Sequence, residues 1–379
     1  MGKAGWTQWA VGRLGNPRLL SRTWSPRVGS IRGGAEPAAA IDRDELTNEQ
    51  LRLIGDGKYG KVYKRKGENG KELTVERVDK TSFKAQLDYG KKLETELRNL
   101  MLLEHPNLLR FFHMDRLVTP WWYDPRELRY EYLENGTNLQ RYLSDNPQEL
   151  DWQTCYGIIK GICDGLAYLH TGQEEPIYHL DISPRCIMLD KSMTPKLQYV
   201  SLSKFLYPAI TWKKDRRPDH GTPGYRPPEY LLANTVSEKF DVFSFGVVMI
   251  NILTGVLKGY EQICKMPPEK IIDLAQKNWR KILEDKRSGV SQLELYCQQV
   301  TKCTKIALSC LERDMDERPN VREIIKRLNE PDDPQSKIGS VTAASELRVG
   351  SAAWQRGATV LVSAAAVARL GGHHMLERR

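Results

Sequence analysis

The sequence predicts an α+β fold made of two lobes, a strand-rich N-terminal lobe and a larger helical C-terminal lobe. Two observations lead to this fold class. Short segments with alternating or β-branched apolar residues fill the chain up to about residue 133. From residue 134 onward the apolar residues recur mainly at helical spacing. A chain of 379 residues is long enough for one large core or for two lobes.

The N-terminal lobe is predicted to begin near Leu46 and to hold several strands with one helix. Leu93, Leu97 and Leu100 have the i, i+4, i+7 spacing of a helix that lies on a sheet. A polar linker at residues 134–137 ends this lobe. Extended segments are expected at residues 51–54, 61–63, 72–78, 108–112 and 128–133.

The C-terminal lobe is predicted to be helical throughout. An amphipathic helix runs through Ile158, Ile162, Leu166 and Leu169 and ends before Gly172. Residues 243–253, with the sequence FSFGVVMINIL, are apolar on nearly every side, which predicts a helix buried inside the lobe. Two further helices are expected at residues 306–311 and 321–328, separated by Arg318-Pro319.

The basic charge of the chain lies at its two ends. The formal net charge is +9, yet residues 1–40 alone hold six Lys and Arg against one acid, and residues 338–379 hold five Arg against two acids. Since the middle is close to neutral and has no basic stripe interleaved with aromatic residues, a nucleic-acid partner is not expected. The predicted domains are a disordered basic extension, the two lobes and a disordered Ala/Ser/Gly-rich tail: 1–45, 46–133, 134–330 and 331–379.

The composition favours a cytoplasmic protein. Seven cysteines form no CxxC pair and have no histidine at metal-ligand spacing, which indicates reduced thiols and no metal site. No apolar run approaches the roughly 20 residues that span a bilayer, so no transmembrane segment is expected. Residues 1–40 have the Arg-rich, acid-poor composition of an organellar transit peptide, which leaves an organellar location as the alternative.

A series of short motifs follows in a fixed order. Residues 55–62 read GDGKYGKV, a GxGxxGxV loop whose glycines let backbone amides approach phosphates closely. Alone this match is weak. It is followed by HPN at 105–107, HLD at 179–181, GTPGYRPPE at 221–229, DVFSFG at 241–246 and ERP at 317–319. Together these motifs, from Leu51 to Leu328, resemble the eukaryotic protein kinase domain, and in particular plant receptor-like kinases and their cytoplasmic relatives.

The resemblance implies a bilobal protein-kinase fold with an antiparallel sheet in the N-terminal lobe and a nucleotide between the lobes. Gly55, Gly57 and Gly60 would cover the phosphates, and Asp181 takes the position of the catalytic base. The other implied nucleotide-binding positions are Val62, Thr74, Glu76, Tyr130, Glu131, Leu133 and Met188. The implied structural positions are His179, Glu229, Asp241 and Arg318, with Arg318 expected to pair with Glu229.

A carboxylate stands where the family has its phosphate-binding lysine. That lysine normally pairs with a glutamate of the N-lobe helix, and here the two positions hold Glu76 and Glu96. Two like charges about 4 Å apart repel by about 4 kcal/mol at an effective dielectric near 20, so one carboxyl takes up a proton or the helix moves outward. Among nearby cations, Lys58 could compensate as a relocated lysine, but we expect it to be a solvated charge on an exposed loop.

The two metal-ligand positions are also substituted. They hold Cys186 and Tyr199, whereas Mg²⁺ prefers hard oxygen ligands. Ser183 replaces the family lysine that follows the base. Because Mg²⁺ is central to phosphoryl transfer, Mg²⁺ is not expected as a cofactor and ATP is expected to bind weakly or not at all. Asp181 then has no metal-bound substrate to act on.

These departures predict a catalytically impaired pseudokinase that serves as a signalling scaffold or allosteric partner of other proteins, such as active kinases or receptors. Two alternatives stay open. One is an active Ser/Thr protein kinase with relocated phosphate- and metal-binding groups. The other is a metal-free nucleotide-binding switch.

Overall fold

The computed structural model describes residues 51–67, 70–78, 90–114, 126–145, 150–200, 202, 220–286 and 289–331. The predicted extension at 1–45 and the predicted tail at 331–379, apart from Pro331, lie outside these residues. The side chains of residues 90–94, 96, 113, 114 and 126 also lie outside the description, and with them the predicted contact of Glu76 with Glu96.

The N-terminal lobe is built on a five-stranded sheet whose neighbouring strands pair antiparallel, as the kinase resemblance implies. The strand order is β1-β2-β3-β5-β4. Val62 lies opposite Glu76, and Glu76 lies opposite Leu128, so these three side chains share one face of the sheet. The strands are β1 (Arg52–Asp56), β2 (Gly60–Lys66), β3 (Glu72–Val78), β4 (Phe111–Met114) and β5 (Arg126–Glu131).

One helix, α1 (Gly90–Met101), packs against this sheet next to β4. Leu97 and Leu100, two of the residues whose spacing predicts the helix, are buried in the main core. Their burial agrees with a helix that covers the sheet with its apolar stripe.

The C-terminal lobe is helical apart from one small sheet. That sheet consists of β6 (Thr137–Asn138), β7 (Ile187–Leu189) and β8 (Pro195–Leu197). The helices are α2 (Leu139–Asp145), α3 (Trp152–Thr171), α4 (Pro228–Ala233), α5 (Glu238–Thr254), α6 (Tyr260–Ile263), α7 (Pro268–Asp285), α8 (Val290–Cys310) and α9 (Val321–Asn329).

Local sequence explains where several of these helices begin. Asp151 caps α3, since its side chain accepts a hydrogen bond from the Thr154 N–H at 2.8 Å. Asn320 and Glu323 form a reciprocal capping box at the start of α9. Helix α5 is buried at every position from Phe240 to Leu253, in agreement with its apolar sequence, and packs against α7 and α8.

All seven cysteines lie within the described residues, where they are buried and form no disulfide. Among the helices of the described ranges, none combines the length and the apolar character needed to cross a membrane.

Candidate functional site

The glycine-rich loop between β1 and β2 closes onto Glu76 of β3. One carboxyl oxygen of Glu76, Oε1, accepts hydrogen bonds from the backbone N–H groups of Tyr59 at 2.7 Å and Gly60 at 3.2 Å. The Glu76 side chain is fully buried. Gly57 passes so close that a Cβ there would overlap Oε1 and lie 2.8 Å from Cγ2 of Val62. Only glycine therefore fits at position 57 while the loop is closed.

Burial changes the acid strength of Glu76. Desolvation raises the pKa of the carboxyl from 4.5 to about 7. The hydrogen bonds from the Tyr59 N–H, the Tyr199 hydroxyl and the Gly60 N–H, and the positive charge of Lys58, all act in the opposite direction. The carboxyl is thus shared between its neutral and charged forms near neutral pH, and the cause is burial.

An aromatic cluster lies beside this carboxyl. The Tyr59 ring is fully buried and meets the ring of Tyr199 edge to face, with 5.2 Å between centroids. Tyr199 meets Tyr130 of β5 in the same way at 6.0 Å. The backbone N–H of Lys58 donates to the Tyr199 hydroxyl at 3.2 Å. The loop is therefore anchored at its tip by a buried side chain as well as by its backbone.

Lys58 points into the cleft, and the expectation that it is a solvated charge is wrong. Its Nζ forms an ion pair with Oδ2 of Asp181, and only 12% of the side chain is exposed. The position of residue 58 within a glycine-rich loop predicts an exposed side chain. Since the loop turns inward, residue 58 faces the C-terminal lobe.

The candidate base Asp181 is engaged by protein groups on both carboxyl oxygens. Besides the contact of Lys58 with Oδ2, the Cys186 thiol lies 3.4 Å from that oxygen. The Thr222 hydroxyl donates to Oδ1 at 2.8 Å and lies 3.3 Å from the Ser183 hydroxyl. Asp181 therefore ties the glycine loop to residue 222, and these contacts occupy the carboxylate that would receive a substrate proton.

The groups at the two metal positions do not suit magnesium. Burial raises the pKa of the Cys186 thiol, and burial raises the pKa of the Tyr199 phenol well above its usual range. Both groups are therefore protonated at neutral pH. Mg²⁺ requires hard, preferably anionic oxygen ligands, so a thiol and a neutral phenol do not form a magnesium site.

Tyr199 also has an unusual backbone. Its φ of 68° lies in the left-handed region, which bulky residues rarely adopt. Such a conformation costs on the order of 1 kcal/mol or more and persists where the surroundings impose it.

Four of the residues expected around a purine share an intermediate degree of burial. Val62, Thr74, Leu133 and Met188 are half-buried. Glu131 uses its carboxyl locally, since it accepts from the backbone N–H of Arg110 at 3.0 Å and pairs with Lys196 at 3.1 Å. Roles for these residues and for Gly55 in nucleotide binding stay predictions.

The implied structural positions form buried polar contacts in the C-terminal lobe. Arg318 and Glu229 form a two-pronged ion pair with N···O distances of 2.7 and 2.8 Å, so the expected pairing is present. Asp241 accepts from the backbone N–H groups of His179 and Leu180, both at 2.7 Å. The His179 imidazole is fully buried, which lowers its pKa to about 4.

The protein kinase domain family matches residues 48–328, from before the glycine loop to the last described helix. The chain belongs to the protein kinase family. This match covers both lobes and agrees with the sheet topology and the buried helix α5.

Plant receptor-like kinases are among the similar proteins. Over 73% of the chain, a G-type lectin S-receptor-like serine/threonine-protein kinase of Arabidopsis thaliana, SRK, is 30% identical. The cysteine-rich receptor-like protein kinase 27 of the same plant is 31% identical over 76% of the chain. The chain spans only 32% and 43% of the lengths of these two relatives.

A solved structure also shares the fold. It is the pseudokinase domain of BIR2, described as an immune regulator of the RLK/Pelle family. The superposition has a TM-score of 0.51 and 24% identity, and covers 75% of this chain and 82% of the BIR2 domain. At this identity the likeness concerns the kinase fold alone.

Sequence reasoning missed two contacts that close this kinase cleft. It did not place Tyr59 in the core or Thr222 on Asp181. Both contacts join residues distant along the chain, 41 positions apart for Thr222 and Asp181. One signal was available: a carboxylate at position 76 faces loop amides that, in the kinase family, approach phosphates.

Proposed function

We propose that this kinase-fold chain is a pseudokinase that works in the cytoplasm as a signalling scaffold or allosteric partner of other proteins. A single observation carries the proposal. A buried carboxyl group, Glu76, holds the glycine-loop amides at the position where phosphoryl transfer needs a cation.

The chemistry of ATP argues against transfer in this cleft. The triphosphate carries several negative charges, which kinases neutralise with a lysine and magnesium. Here a carboxyl of raised pKa replaces the lysine, and protonated Cys186 and Tyr199 replace the metal ligands. The remaining base, Asp181, is paired with Lys58. Each of these features disfavours catalysis, and together they leave no source of charge neutralisation at the expected positions.

The retained contacts of the C-terminal lobe support a binding role. Arg318, Glu229 and Asp241 form buried polar contacts that stabilise the fold and do not depend on nucleotide. A kinase fold without catalysis still presents surfaces to other proteins. We propose that the partners are active kinases or receptors, because receptor-like kinases are among the relatives of the chain.

Phosphate transfer by the full chain tests this proposal directly. The purified protein is incubated with radiolabelled ATP and Mg²⁺, alongside Asp181→Asn as the matched control. We expect phosphate incorporation at the same background level in both proteins. Incorporation by the wild type that Asp181→Asn abolishes, together with a Mg²⁺-dependent rise in melting temperature, would refute the pseudokinase assignment. Capture of partners from native tissue with the intact chain then tests the scaffold role.

The position of Lys58 favours a second candidate, an active kinase with a relocated lysine. Its ammonium group lies in the cleft beside Asp181, where it could turn to a phosphate once the ion pair opens. This candidate requires Lys58→Met to abolish transfer as completely as Asp181→Asn. Lys61→Met is the control, since Lys61 is an exposed cation at the start of β2, paired with Asp56.

Metal-free nucleotide binding is the third candidate. It would appear as an ATP-dependent rise in melting temperature in the presence of EDTA, without turnover. The buried Glu76 disfavours it in the closed form of the loop.

A further inference from the structure

We propose that Glu76 acts as a built-in substitute for a nucleotide phosphate, holding the glycine-rich loop shut as a lid that keeps nucleotides out of the cleft. This inference rests on the proposed function, and it identifies the contact that controls access to the cleft.

The hydrogen-bonding pattern is the first support. In a kinase the glycine loop folds over the phosphates of ATP. Here the amides of Tyr59 and Gly60 donate instead to Oε1 of Glu76, at 2.7 and 3.2 Å. A carboxyl oxygen, like a phosphate oxygen, accepts a hydrogen bond from an N–H donor. The protein therefore supplies from β3 the acceptor that a ligand would bring.

Steric fit is the second support. Gly57 approaches Glu76 so closely that no Cβ fits between them. The Tyr59 side chain is fully buried against Tyr199, which stands at a metal-ligand position of the family. A phosphate group between loop and strand would have to displace the Glu76 carboxyl, and a metal ion at Tyr199 would have to displace the Tyr59 ring.

The Lys58–Asp181 ion pair is the third support, because it fastens the lid to the C-terminal lobe. The pair joins the loop to the position of the catalytic base. Lid closure thus occupies the phosphate side and the base side of the cleft together. Removing the acceptor at residue 76 releases the two amides and should free the loop.

Trypsin provides a local measurement of lid opening in the full chain. The Lys58–Tyr59 peptide bond is protected while Tyr59 is buried, and its cleavage can be followed by mass spectrometry. In Glu76→Ala we expect cleavage at this bond to be faster by roughly tenfold or more, since two hydrogen bonds to a carboxyl are lost. We also expect ATP in EDTA to bind the variant, measured by calorimetry, with no binding to the wild type.

Two variants serve as controls. Glu72→Ala makes the same change at an exposed position of the same strand and should leave the Lys58–Tyr59 bond protected. Glu76→Gln keeps an acceptor oxygen and the side-chain volume, so it should fold like the wild type and stay mostly protected. This variant separates the acceptor from the charge and remains informative if Glu76→Ala is poorly folded.

Three results would overturn the inference. The first is unchanged protection of the Lys58–Tyr59 bond in Glu76→Ala. The second is an equal increase in cleavage along the whole chain in both Glu76 variants, which would mean that residue 76 only supports the fold. The third is an open loop that still binds no ATP. None of these requires phosphate transfer by the wild type, so failure of the lid is distinguishable from failure of the pseudokinase proposal.

Discussion

Buried polar groups occupy kinase-family motif positions both in the C-terminal lobe and in the cleft. The two sets differ in what they contact. In the C-terminal lobe, Arg318 binds Glu229, and Asp241 accepts the backbone N–H groups of residues 179 and 180, as the family motifs predict. In the cleft, Glu76 and Tyr199 stand where the family binds phosphate and metal, and their contacts are with the protein itself.

The difference separates two kinds of motif residue. A polar group that supports the fold needs its partner within the chain at all times, because an unpaired buried charge is costly. A group that binds ligand can be exchanged once the ligand is no longer needed, provided that the new group is satisfied internally. Glu76 meets that condition at Oε1, which accepts from the two loop amides. Fold and catalysis can therefore diverge within one domain.

The largest effect is expected from the fold-supporting pair. Arg318→Ala leaves Glu229 without its buried partner, and breaking such a pair costs about 3–5 kcal/mol of unfolding free energy. Urea denaturation of the full chain measures the loss. Arg322→Ala is the control, since Arg322 is exposed on the neighbouring helix α9 and should change stability by less than about 0.5 kcal/mol. A loss for Arg318→Ala no greater than for the control would break the comparison.

A smaller effect, dependent on pH, is expected at Glu76. Its pKa is about 7 in the folded chain and 4.5 in the unfolded reference, so the folded state binds the extra proton between these values. The contribution of Glu76 to the free energy of unfolding is therefore fully present below about pH 4.5 and is lost as the pH rises through 7. The total is on the order of 3 kcal/mol. Because glutamine does not titrate, the free energy of unfolding of Glu76→Gln should lack this dependence on pH.

Urea unfolding of wild type and Glu76→Gln at pH 5 and pH 7.5 measures that difference. The comparison of the two proteins is needed because His179 acts in the opposite direction. Its pKa is lowered to about 4, so its contribution is complete above pH 6.5 and is lost as pH falls toward 4. Since His179 is present in both proteins, its effect cancels. Parallel pH profiles would contradict the assigned pKa of Glu76.

The smallest effect is expected at the glycine loop. Gly57→Ala places a Cβ 2.5 Å from Cδ of Glu76, so the loop must shift, at a cost of about 1–3 kcal/mol. Gly55→Ala is a matched control, because nothing lies within 4 Å of its added Cβ. In a Glu76→Ala background the cost of Gly57→Ala should shrink, which a double-mutant cycle measures as coupling. If the stability losses of Gly57→Ala and Glu76→Ala simply add, then Glu76 is not the group that the new Cβ meets.

Much of the fold could be predicted because it rests on local periodicity. Ile158, Ile162 and Leu166 mark α3 at helical spacing, and the apolar run at 243–253 marks the buried helix α5. Helix α7 was not predicted, although its buried residues Ile271 and Ala275 lie four positions apart. The helical spacing of apolar residues is present in α7, but no kinase-family motif lies within this segment.

The arrangement of the candidate site was only partly predictable. The substitutions at positions 76, 186 and 199 are visible from the spacing of the family motifs in the sequence alone. The inward orientation of Lys58 is not visible in the sequence, because its partner Asp181 lies 123 residues away. Whether the lysine faces solvent or the cleft depends on three-dimensional packing. A loop lysine is usually solvated, and that general tendency gave the wrong expectation here.

The position of the hairpin in the sheet has a mechanical consequence. Among the described residues, strand β1 lies at the edge of the sheet and pairs with β2, and their register shifts between Leu53 and Gly55. Such a β-bulge is a natural bending point of β1. Because β2 pairs with β3 along its whole length, from Gly60 opposite Val78 to Lys66 opposite Glu72, outward movement that leaves this ladder intact is confined to residues 57–59 at the tip. The few contacts at the tip therefore set the free-energy cost of opening. Amide hydrogen exchange would detect this opening as faster exchange at Tyr59 than along β3.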